Sequence, residues 1–420
     1  MAWKLSQSEY AERIFVAPGN AGTAQIATNV DISISNFEEL AKFSSDFNIM
    51  TVVVGQEAAL VDGIADYFSE KEYLQHILVV GPRKAGAQLE GSKDFSKEFM
   101  LRHNIPTARY QTFTAETHVQ AISYLQNHSY PVVLKADGLA AGKGVVITQN
   151  FAEAQETISS MLLQNKFGAA GNKVVVEEFL QGIEVSVFIL TDGQEYVLLP
   201  EAKDYKRIGE GDTGLNTGGM GAVSPVPFAD VAFMANVRTR VIEPTLRGLQ
   251  SDGIPYSGFL FIGLMNDNGN PAVVEYNVRL GDPETEAILP RIKSDLFELF
   301  KALHDHELGQ FQIELDPRSA TTIFLVSGGY PGDYEKGHQI EGLNQPVSED
   351  ALIFQAGTKL TENGEAVTDG GRVVAVTGLG QNMEEALANA NAAASQITWQ
   401  GRTFRSDIGF DLKRYLAPSV

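Results

Sequence analysis

The sequence predicts a mixed α/β and α+β protein with an N-terminal doubly wound (Rossmann-like) domain and a C-terminal strand-rich domain. Over residues 1–90, short apolar strands alternate with amphipathic helices, which is typical of parallel βαβ units. Glycines follow these strands in APGNAG and VVGP, where doubly wound sheets bind ligands. Beyond about residue 310 the chain is again strand-rich, with turns at GGYPGD and DGG.

Composition narrows the class of protein. The chain has 420 residues, of which 44% are hydrophobic, and 32 basic against 53 acidic residues give a net charge of −21. Such a charge argues against binding to nucleic acid or anionic membranes. The absence of cysteine excludes disulfides and thiolate chemistry. Without a signal-peptide pattern or a run of about 20 apolar residues, a cytoplasmic protein is expected.

The first elements follow from local patterns. AWKLSQSEYAERI (2–14) predicts an opening helix, and Ser35 with Glu38 forms a capping-box pattern that predicts a second helix start. Three apolar runs predict strands at 13–18, 49–55 and 77–81.

The stretch VVLKADGLAAGKGVVIT (132–148) predicts two strands joined by a glycine loop. Lys135 interrupts an apolar strand, and burying its ammonium group is costly unless an anion meets it. The spacing does not fit a P-loop, because Gly144 follows Lys143 where Ser or Thr is needed. A lid over phosphates and a plain surface hairpin, whose lysines reach water, both remain open.

Asn150 is the expected N-cap of the helix FAEAQETISSMLLQ. The next two strands, KVVVEEFL and IEVSVFIL, are expected to pair around a turn at Gln181-Gly182. They carry Glu177, Glu178 and Glu184. These carboxylates either solubilise a hairpin or flank an adenine and its ribose on a strand between two lobes.

The strand in AVVEYNVRLGDPETE (272–286) carries the most specific pattern. Residues two apart share a strand face, so Glu275, Asn277 and Arg279 are expected to project together. A carboxylate beside an amide oxygen suits Mg²⁺, and an arginine on the same face suits an anion. The alternative is an ion pair between Glu275 and Arg279 on a solvated face.

GEGDTGLNTGGMGAVSP (209–225) is expected to be a long functional loop, preceded by Asp204 and Lys206. The seven histidines show no spacing for a hydrolase triad or a zinc site.

Taken in order, LEGSKDFSKEFMLRHNIPTARY, VVLKADGLAAGKGV, VVEEFLQGIEVSVF, DYKRIGEGDTGLNTGGMGAVSP and VVEYNVRLGDPETE resemble the phosphoribosylamine–glycine ligase family (glycinamide ribonucleotide synthetases) of the ATP-grasp superfamily. The resemblance covers almost the whole chain. It implies an ATP-grasp fold with an N-terminal domain at 1–95, an ATP-grasp domain at 96–313 that includes a lid at about 108–185, and a C-terminal domain at 314–420.

The resemblance also implies a reaction for purine biosynthesis: ATP activates glycine as glycyl phosphate, and 5-phosphoribosylamine displaces the phosphate. It implies Mg²⁺ or Mn²⁺, no protein nucleophile, and a monomer. The implied catalytic residues are Lys135, Asp204 and Arg279, and the implied metal ligands are Glu275 and Asn277. ATP-binding residues are implied at Lys97, Lys135, Gly142, Lys143, Gly144, Glu177, Glu178, Phe179, Leu180 and Glu184. Substrate-binding residues are implied at Gly19, Asn20, Glu57, Asp204, Lys206, Asn216, Gly218, Gly219 and Arg279.

The sequence departs from the family at VGQEAAL, DYKR and FQAGT, where VGPEAPL, DHKR and FHAGT are usual. The family begins with a strand and a glycine loop of the type GxGGREHAL, whereas this sequence starts at the equivalent of the following AWK. The first domain is therefore expected to lack that element, and a nucleotide-binding chain without turnover is the alternative, as is another ATP-grasp carboxylate–amine ligase.

Overall fold

The computed structural model describes residues 1–140, 144–164, 168–345 and 348–416. The N-terminal part forms two parallel strand pairs, β1 with β2 and β3 with β4. Its elements are α1 (Ala2–Leu5), β1 (Phe15–Val16), β2 (Thr28–Asn29), α2 (Phe37–Asp46), β3 (Thr51–Val53), α3 (Glu57–Asp62), α4 (Ile64–Glu70), β4 (Leu78–Val80), α5 (Lys84–Gly91) and α6 (Lys93–Arg102).

All three predicted strands are present but shorter than expected, and β1 pairs with β2 rather than with β3. The predicted helix over 2–14 is wrong beyond α1. Its continuation is polar: the Ser6 hydroxyl donates to the Trp3 carbonyl, and the Ser8 hydroxyl accepts from the Tyr10 N–H. Short polar side chains compete in this way with helical hydrogen bonds.

The predicted cap of α2 is displaced by one residue. Asn36, not Ser35, is the N-cap: its side chain accepts from the Glu39 N–H and donates to the Glu39 carboxylate at 2.8 Å. Ser35 instead contacts the hydroxyl of Ser33. Asparagine is at least as good an N-cap as serine, so the local sequence allows either start.

A four-stranded antiparallel sheet follows, in the order β5-β8-β6-β7, with α7 and α8 packed on it through an apolar cluster. The predicted pair of strands at 132–148 is confirmed as β6 and β7, and Asn150 caps α8 as predicted. The elements are β5 (Tyr110–Thr114), α7 (His118–Gln126), β6 (Val132–Ala136), β7 (Val145–Thr148), α8 (Phe151–Leu163) and β8 (Lys173–Glu178).

A second antiparallel sheet has the order β10-β9-β15-β16. The predicted pairing of β8 with β9 is wrong, because β8 stays in the first sheet and residues 179–182 carry the chain into the second. Almost every residue of β9 is buried, so it fits a central strand between β10 and β15 better than an edge hairpin. The elements are β9 (Ile183–Thr191), β10 (Tyr196–Leu198), β11 (Lys203–Asp204), β12 (Arg207–Gly209), β13 (Thr213–Asn216), β14 (Gly221–Ser224), α9 (Val231–Val237), α10 (Glu243–Ser251), β15 (Gly258–Asp267), β16 (Asn270–Asn277), α11 (Glu284–Ile288) and α12 (Leu296–His304).

The glycine-rich stretch at 209–225 is not one long loop. It forms the hairpin β12–β13 and then β14, because Gly211, Asp212 and Gly214 take positive φ angles that turn the chain sharply. The third sheet, β11-β14-β17-β21-β18, joins β11 and β14 to the strand-rich C-terminal part. Its remaining elements are β17 (Ser319–Val326), β18 (Ala351–Gln355), β19 (Thr358–Leu360), β20 (Ala366–Thr368), β21 (Arg372–Gly380) and α13 (Met383–Ala394).

One apolar core cluster extends from α2 and α3 through β9 and β15 to β17 and β21. Within the described part of the chain, none of the helices combines the length and apolarity needed to cross a bilayer.

Candidate functional site

A buried cluster of three charged side chains lies between the first and second sheets. Glu177 on β8 forms ion pairs with both lysines: Lys97 Nζ lies 3.0 Å from Oε2, and Lys135 Nζ lies 3.0 Å from Oε1. Lys97 also donates to Thr107 Oγ1 at 2.7 Å, and Lys135 to the Val274 carbonyl at 3.1 Å. The lysine that the sequence placed in an apolar strand is therefore buried and paired, not on a surface hairpin.

The cluster carries an excess positive charge. Lys97, Lys135 and Glu177 are 2%, 5% and 3% exposed, so two ammonium groups share one carboxylate away from water. Burial alone would raise the pKa of Glu177, but Lys135 and Lys97 together hold it below the ordinary value. Burial lowers the pKa of Lys97 to about 8, against the opposing attraction of Glu177. One unbalanced positive charge in a buried position favours an anionic ligand beside it.

A β-bulge in β16 brings the second group of candidates to this cluster. Glu275 lies opposite Gly263 while Val273 lies opposite the next residue of β15, so Val274 is the extra residue whose carbonyl meets Lys135. Bulges often redirect side chains at functional sites. Beyond the bulge, Glu275 and Asn277 are half-buried while Tyr276 is buried, as the predicted alternation requires.

Arg279, just past the end of β16, is held by two carboxylates from the N-terminal part. Its Nη2 donates to Glu90 Oε1 at 3.0 Å, and its Nε lies 3.5 Å from Glu57 Oε2. Glu90 also accepts the Val278 N–H at 2.7 Å. Among the described residues Glu275 forms no ion pair with Arg279, so the alternative of a simple salt bridge along the strand is not what the fold shows.

A second charged group lies along β9 and β11. Lys206 Nζ lies 2.7 Å from Glu184 Oε2 and 3.7 Å from Asp204 Oδ2. Glu284 is buried and accepts from Ser186 Oγ at 2.9 Å. Burial raises the pKa of Glu284 to about 8, with Asp204 adding to the shift and the Ser186 hydrogen bond opposing it. This group contains more carboxylates than cations, so it suits an ammonium or amine.

The C-terminal part fixes the NTGG loop. Arg372 Nη1 donates to the Gly218 carbonyl at 2.8 Å, and its Nη2 donates to Asp282 Oδ2 at 2.7 Å. The Gly218 N–H in turn donates to the Tyr330 hydroxyl at 2.9 Å. At Gly219, with φ of +117°, an added Cβ would lie 2.3 Å from a ring carbon of Pro283, so only glycine fits this close approach.

The segment between the two sheets follows Glu178. The Glu178 carboxylate accepts from the backbone and the side chain of Arg109, at 2.9 and 2.8 Å. Phe179 and Leu180 are half-buried and lie outside any strand. They do connect the two sheets, but the predicted strand ends at Glu178, so the connection itself is not a strand.

The side chain of Asn20 is hydrogen-bonded to the C-terminal part of the chain. Its side-chain nitrogen donates to the carbonyls of Gln355 and Ala356, at 2.7 and 3.1 Å. Gly19, with φ of +79°, packs against Asn29, where an added Cβ would lie 2.2 Å from Oδ1. This loop therefore contacts the C-terminal part of the chain and links it to the N-terminal part.

Two further candidates, Gly144 and Asn216, lie at the edges of the site. Gly142 and Lys143 fall outside the described residues. Gly144 accepts the Ala136 N–H at 2.8 Å at the base of the loop between β6 and β7. Asn216 is exposed at the end of β13.

Sequence reasoning missed five residues that the fold brings to the site: Glu90, Lys93, Glu284, Tyr330 and Arg372. Lys93 Nζ donates to the Gly138 carbonyl at 3.3 Å, and burial lowers its pKa while Glu275 opposes the shift. Glu90 lies in LEGSK and Arg372 in GGR, both within recognised motifs, but only long-range contacts show what they touch. A charged residue on an otherwise apolar helix face was the one available signal for Glu90.

The oxygens of Glu275 and Asn277 fit a divalent cation that completes its shell with phosphate and water. The described residues contain no group of three or more His, Cys, Asp or Glu side chains able to enclose a metal. Among the described residues, the side chain of Glu275 makes no hydrogen bond or ion pair. Its carboxylate is therefore available to bind a cation. Mg²⁺ is commonly bound in this way, by one or two protein ligands together with substrate phosphates.

Comparisons with known proteins agree with this arrangement. The N domain of the family described as phosphoribosylglycinamide synthetase matches residues 1–90, its ATP-grasp (A) domain matches 91–285, and its C domain matches 320–411. The phosphoribosylamine–glycine ligase of Haemophilus influenzae is 46% identical over 413 residues, which is 98% of this chain and 95% of that protein.

The bifunctional purine biosynthetic protein of Pichia angusta is 46% identical over 97% of this chain, which spans about half (52%) of that longer protein. The crystal structure of phosphoribosylamine–glycine ligase from Thermotoga maritima superposes with a TM-score of 0.83 at 34% identity, covering 97% of this chain and 96% of that one. The sequence motifs, the two facing sheets and these relatives agree, and the chain belongs to the phosphoribosylamine–glycine ligase family of the ATP-grasp superfamily.

Proposed function

We propose that this chain joins glycine to 5-phosphoribosylamine with ATP, giving glycinamide ribonucleotide, ADP and phosphate, a step of purine biosynthesis. The observation that carries the proposal is the buried Lys97–Glu177–Lys135 cluster, whose unbalanced positive charge lies beside the Glu275–Asn277 strand. In a member of this family, that arrangement suits the phosphates of ATP and their divalent cation.

We assign nucleotide binding to the space between the two sheets. Lys97 and Lys135 would contact phosphate oxygens, and Gly142, Lys143 and Gly144 are proposed as further ATP-binding residues. Glu178, Phe179 and Leu180 would flank the adenine and Glu184 the ribose. The Glu177 carboxylate would act on the two lysines, because both of its oxygens already lie 3.0 Å from them.

Glu275 and Asn277 would hold Mg²⁺ or Mn²⁺, which supplies charge neutralisation for phosphates when bound. Arg279 would contact the acyl phosphate, since its Nε lies buried without a hydrogen-bond acceptor in ideal geometry. The planar guanidinium can donate to two oxygens of a phosphoryl group at once, which the ammonium group of a lysine does less well.

Asp204, Lys206 and the NTGG loop would bind glycine and the phosphorylated amine, with Gly19, Asn20, Glu57, Asn216, Gly218 and Gly219 as further contacts. The carboxylate-rich side of this group suits an amine, whereas Lys206 suits a carboxylate. The glycine carboxylate attacks the γ-phosphate, and the amine of 5-phosphoribosylamine then displaces phosphate from the glycyl carbon. No protein nucleophile takes part, so catalysis consists of positioning and charge neutralisation.

The division into domains at 1–95, 96–313 and 314–420, with a lid at about 108–185, stays part of the proposal and is supported by the three family segments. The net charge of −21 supports a protein that binds neither nucleic acid nor anionic membranes, and a monomeric, cytoplasmic protein is proposed from the family resemblance.

The test is ADP release with glycine and freshly generated 5-phosphoribosylamine, compared with a panel of other carboxylates and amines. Product must appear only when both proper substrates are present. Preference for another amine would indicate a different ATP-grasp ligase. Calorimetric ATP binding without turnover on any pair would indicate a nucleotide-binding chain that has no ligase activity.

A further inference from the structure

Glu90 is a buried acidic residue on the face of α5 that packs toward β16. The neighbouring buried residues of this helix, Gly86, Ala87 and Leu89, are apolar or lack a side chain, so a carboxylate there needs a specific reason. Glu90 is separated from the end of β16 by almost two hundred residues in the sequence. Both of its carboxylate oxygens nevertheless accept hydrogen bonds from the segment that follows that strand.

The two contacts fix different parts of this segment. Glu90 Oε2 accepts the backbone N–H of Val278 at 2.7 Å, and Oε1 accepts from Arg279 Nη2 at 3.0 Å. Val278 directly follows Asn277, so the first contact holds the main chain beside a proposed metal ligand. The second contact orients the guanidinium of Arg279, which leaves its Nε edge without an acceptor in ideal geometry.

We propose that Glu90 is a positioning residue that holds Arg279 and the end of β16 in the geometry needed for acyl transfer. The inference rests on the proposed function, in which Arg279 contacts the acyl phosphate. Glu90 itself touches no substrate. It would orient a substrate-contacting residue, as residues that hydrogen-bond to metal ligands orient those ligands. Loss of such a residue typically lowers activity by about 10- to 100-fold.

Only a carboxylate satisfies both contacts. Glutamine has one acceptor oxygen and one donor nitrogen, so either Val278 or Arg279 would face a second donor. Aspartate keeps two acceptors but is one methylene shorter, so it can reach these partners only after a small shift of α5.

The charges around Glu90 fit this role. Burial raises the pKa of Glu90 to about 7, with Arg279 and the Val278 N–H opposing the shift and Glu57 and Glu275 adding to it. Glu90 in turn opposes the lowering of the Lys93 pKa and adds to the raised pKa of the buried Tyr256. Arg279 is the cation in direct contact with Glu90 among the described residues, so each of the two stabilises the charge of the other.

The experiment compares Glu90→Gln and Glu90→Asp with Asp192→Asn as a matched control. Asp192 is also a buried carboxylate that accepts backbone N–H groups and contacts one basic side chain, His306. It lies at the far end of β9 from Glu184, about 25 Å away along an extended strand. For the wild type and each variant, the experiment measures kcat, KM for each substrate, ATP affinity and the melting temperature.

The expected result is a fall in kcat of about 10- to 100-fold for Glu90→Gln, with KM for ATP and ATP affinity changed by less than about threefold. Glu90→Asp should keep more of the kcat than Glu90→Gln at a similar melting temperature. Asp192→Asn should lower only the melting temperature. If Glu90→Gln keeps the kcat of Asp192→Asn, the inference is overturned.

A double-mutant cycle with Arg279→Lys separates positioning from a general effect on folding. If Glu90 acts through Arg279, Glu90→Gln should cost much less kcat in the Arg279→Lys background than in the wild type. Equal losses in both backgrounds would overturn the inference while leaving the proposed function intact. A wild type that forms no product would instead overturn the proposed function, and an Arg279→Lys variant with full activity would overturn the role of Arg279 on which the inference rests.

Discussion

Replacing Glu177 by glutamine should destabilise the protein much more than replacing Lys135 by methionine, although both changes remove one charge from the same buried cluster. The difference follows from counting charges. Glu177→Gln leaves the ammonium groups of Lys97 and Lys135 together without a counter-ion, whereas Lys135→Met leaves a one-to-one pair of Lys97 with Glu177 at 3.0 Å.

The expected magnitudes follow from burial. All three side chains are at most 6% exposed, so water screens them little. Breaking a buried ion pair so that a charge is left alone costs about 3–5 kcal/mol, and Glu177→Gln should fall in that range. Lys135→Met leaves no lone charge and nearly conserves volume, so its cost should be about 1.5 kcal/mol or less.

Nucleotide binding should show the opposite order. Lys135→Met removes one charge-assisted contact to phosphate, worth about 1.5–3 kcal/mol, or about ten- to a hundredfold in ATP affinity. The Glu177→Gln variant keeps both cations and should still bind ATP. Because ATP binds the folded state, adding it should restore part of the melting temperature that the variant has lost. The half-exposed Lys173→Met on β8 is the matched control for nucleotide binding: it should leave ATP affinity unchanged, while loss of its ion pair with Asp94 lowers stability alone.

The assays are denaturant unfolding with and without Mg²⁺ and ATP, and calorimetric titration with ATP. If Lys135→Met unfolds as readily as Glu177→Gln while ATP affinity stays constant, Lys135 is a structural lysine. The excess charge then has no ligand to explain it, and the assignment of the phosphate site is wrong.

The remaining predictions concern the metal ligands, a buried acid and the C-terminal arginine. Glu275→Gln removes the anionic ligand and should raise the Mg²⁺ concentration needed for half-maximal activity more than Asn277→Asp, which keeps an oxygen; an unchanged titration for Glu275→Gln would refute the metal assignment. Because the folded-state pKa of Glu284 is raised from 4.5 to about 8, the stability linked to it is present at low pH and lost as the pH rises through that window. The melting temperature of Glu284→Gln should therefore gain on that of the wild type between about pH 5 and 8, and a constant difference would contradict the shift. Arg372→Lys loses the paired contacts to Gly218 and Asp282, so it should raise KM for glycine or 5-phosphoribosylamine without changing ATP affinity; weakened ATP binding instead would show that the NTGG loop reaches the nucleotide.

The local sequence pattern was sufficient to predict structural features that depend on a single strand or a single helix cap. The alternation of half-buried Glu275 and Asn277 with buried Tyr276 followed from the two-residue period of a strand, and the cap at Asn150 from its side chain. The same reasoning failed at residues 2–14 and at Ser35, where polar neighbours offered competing hydrogen bonds of similar strength.

Pairing between distant strands is not encoded in local pattern. The run of β9 is apolar enough for either a hairpin edge or a central strand, and its burial between β10 and β15 depends on residues about seventy positions later. The predicted hairpin of β8 with β9 was wrong for this reason. The error matters for function, because the chain must leave the first sheet after Glu178 to create the space between the two sheets.

The charged side chains at that space show why composition misleads about a site. A chain with a net charge of −21 places two lysines with one glutamate where its two sheets meet, and it surrounds Arg279 with carboxylates from α3 and α5. Each cation lies against at least one acidic residue, which offsets part of the cost of burying it before a ligand arrives. Yet the first group keeps a surplus of one positive charge, and Arg279 keeps an edge without an ideal acceptor. In the proposed function, anionic substrates would complete networks that the protein has already oriented, so that positioning and charge neutralisation would suffice without a protein nucleophile.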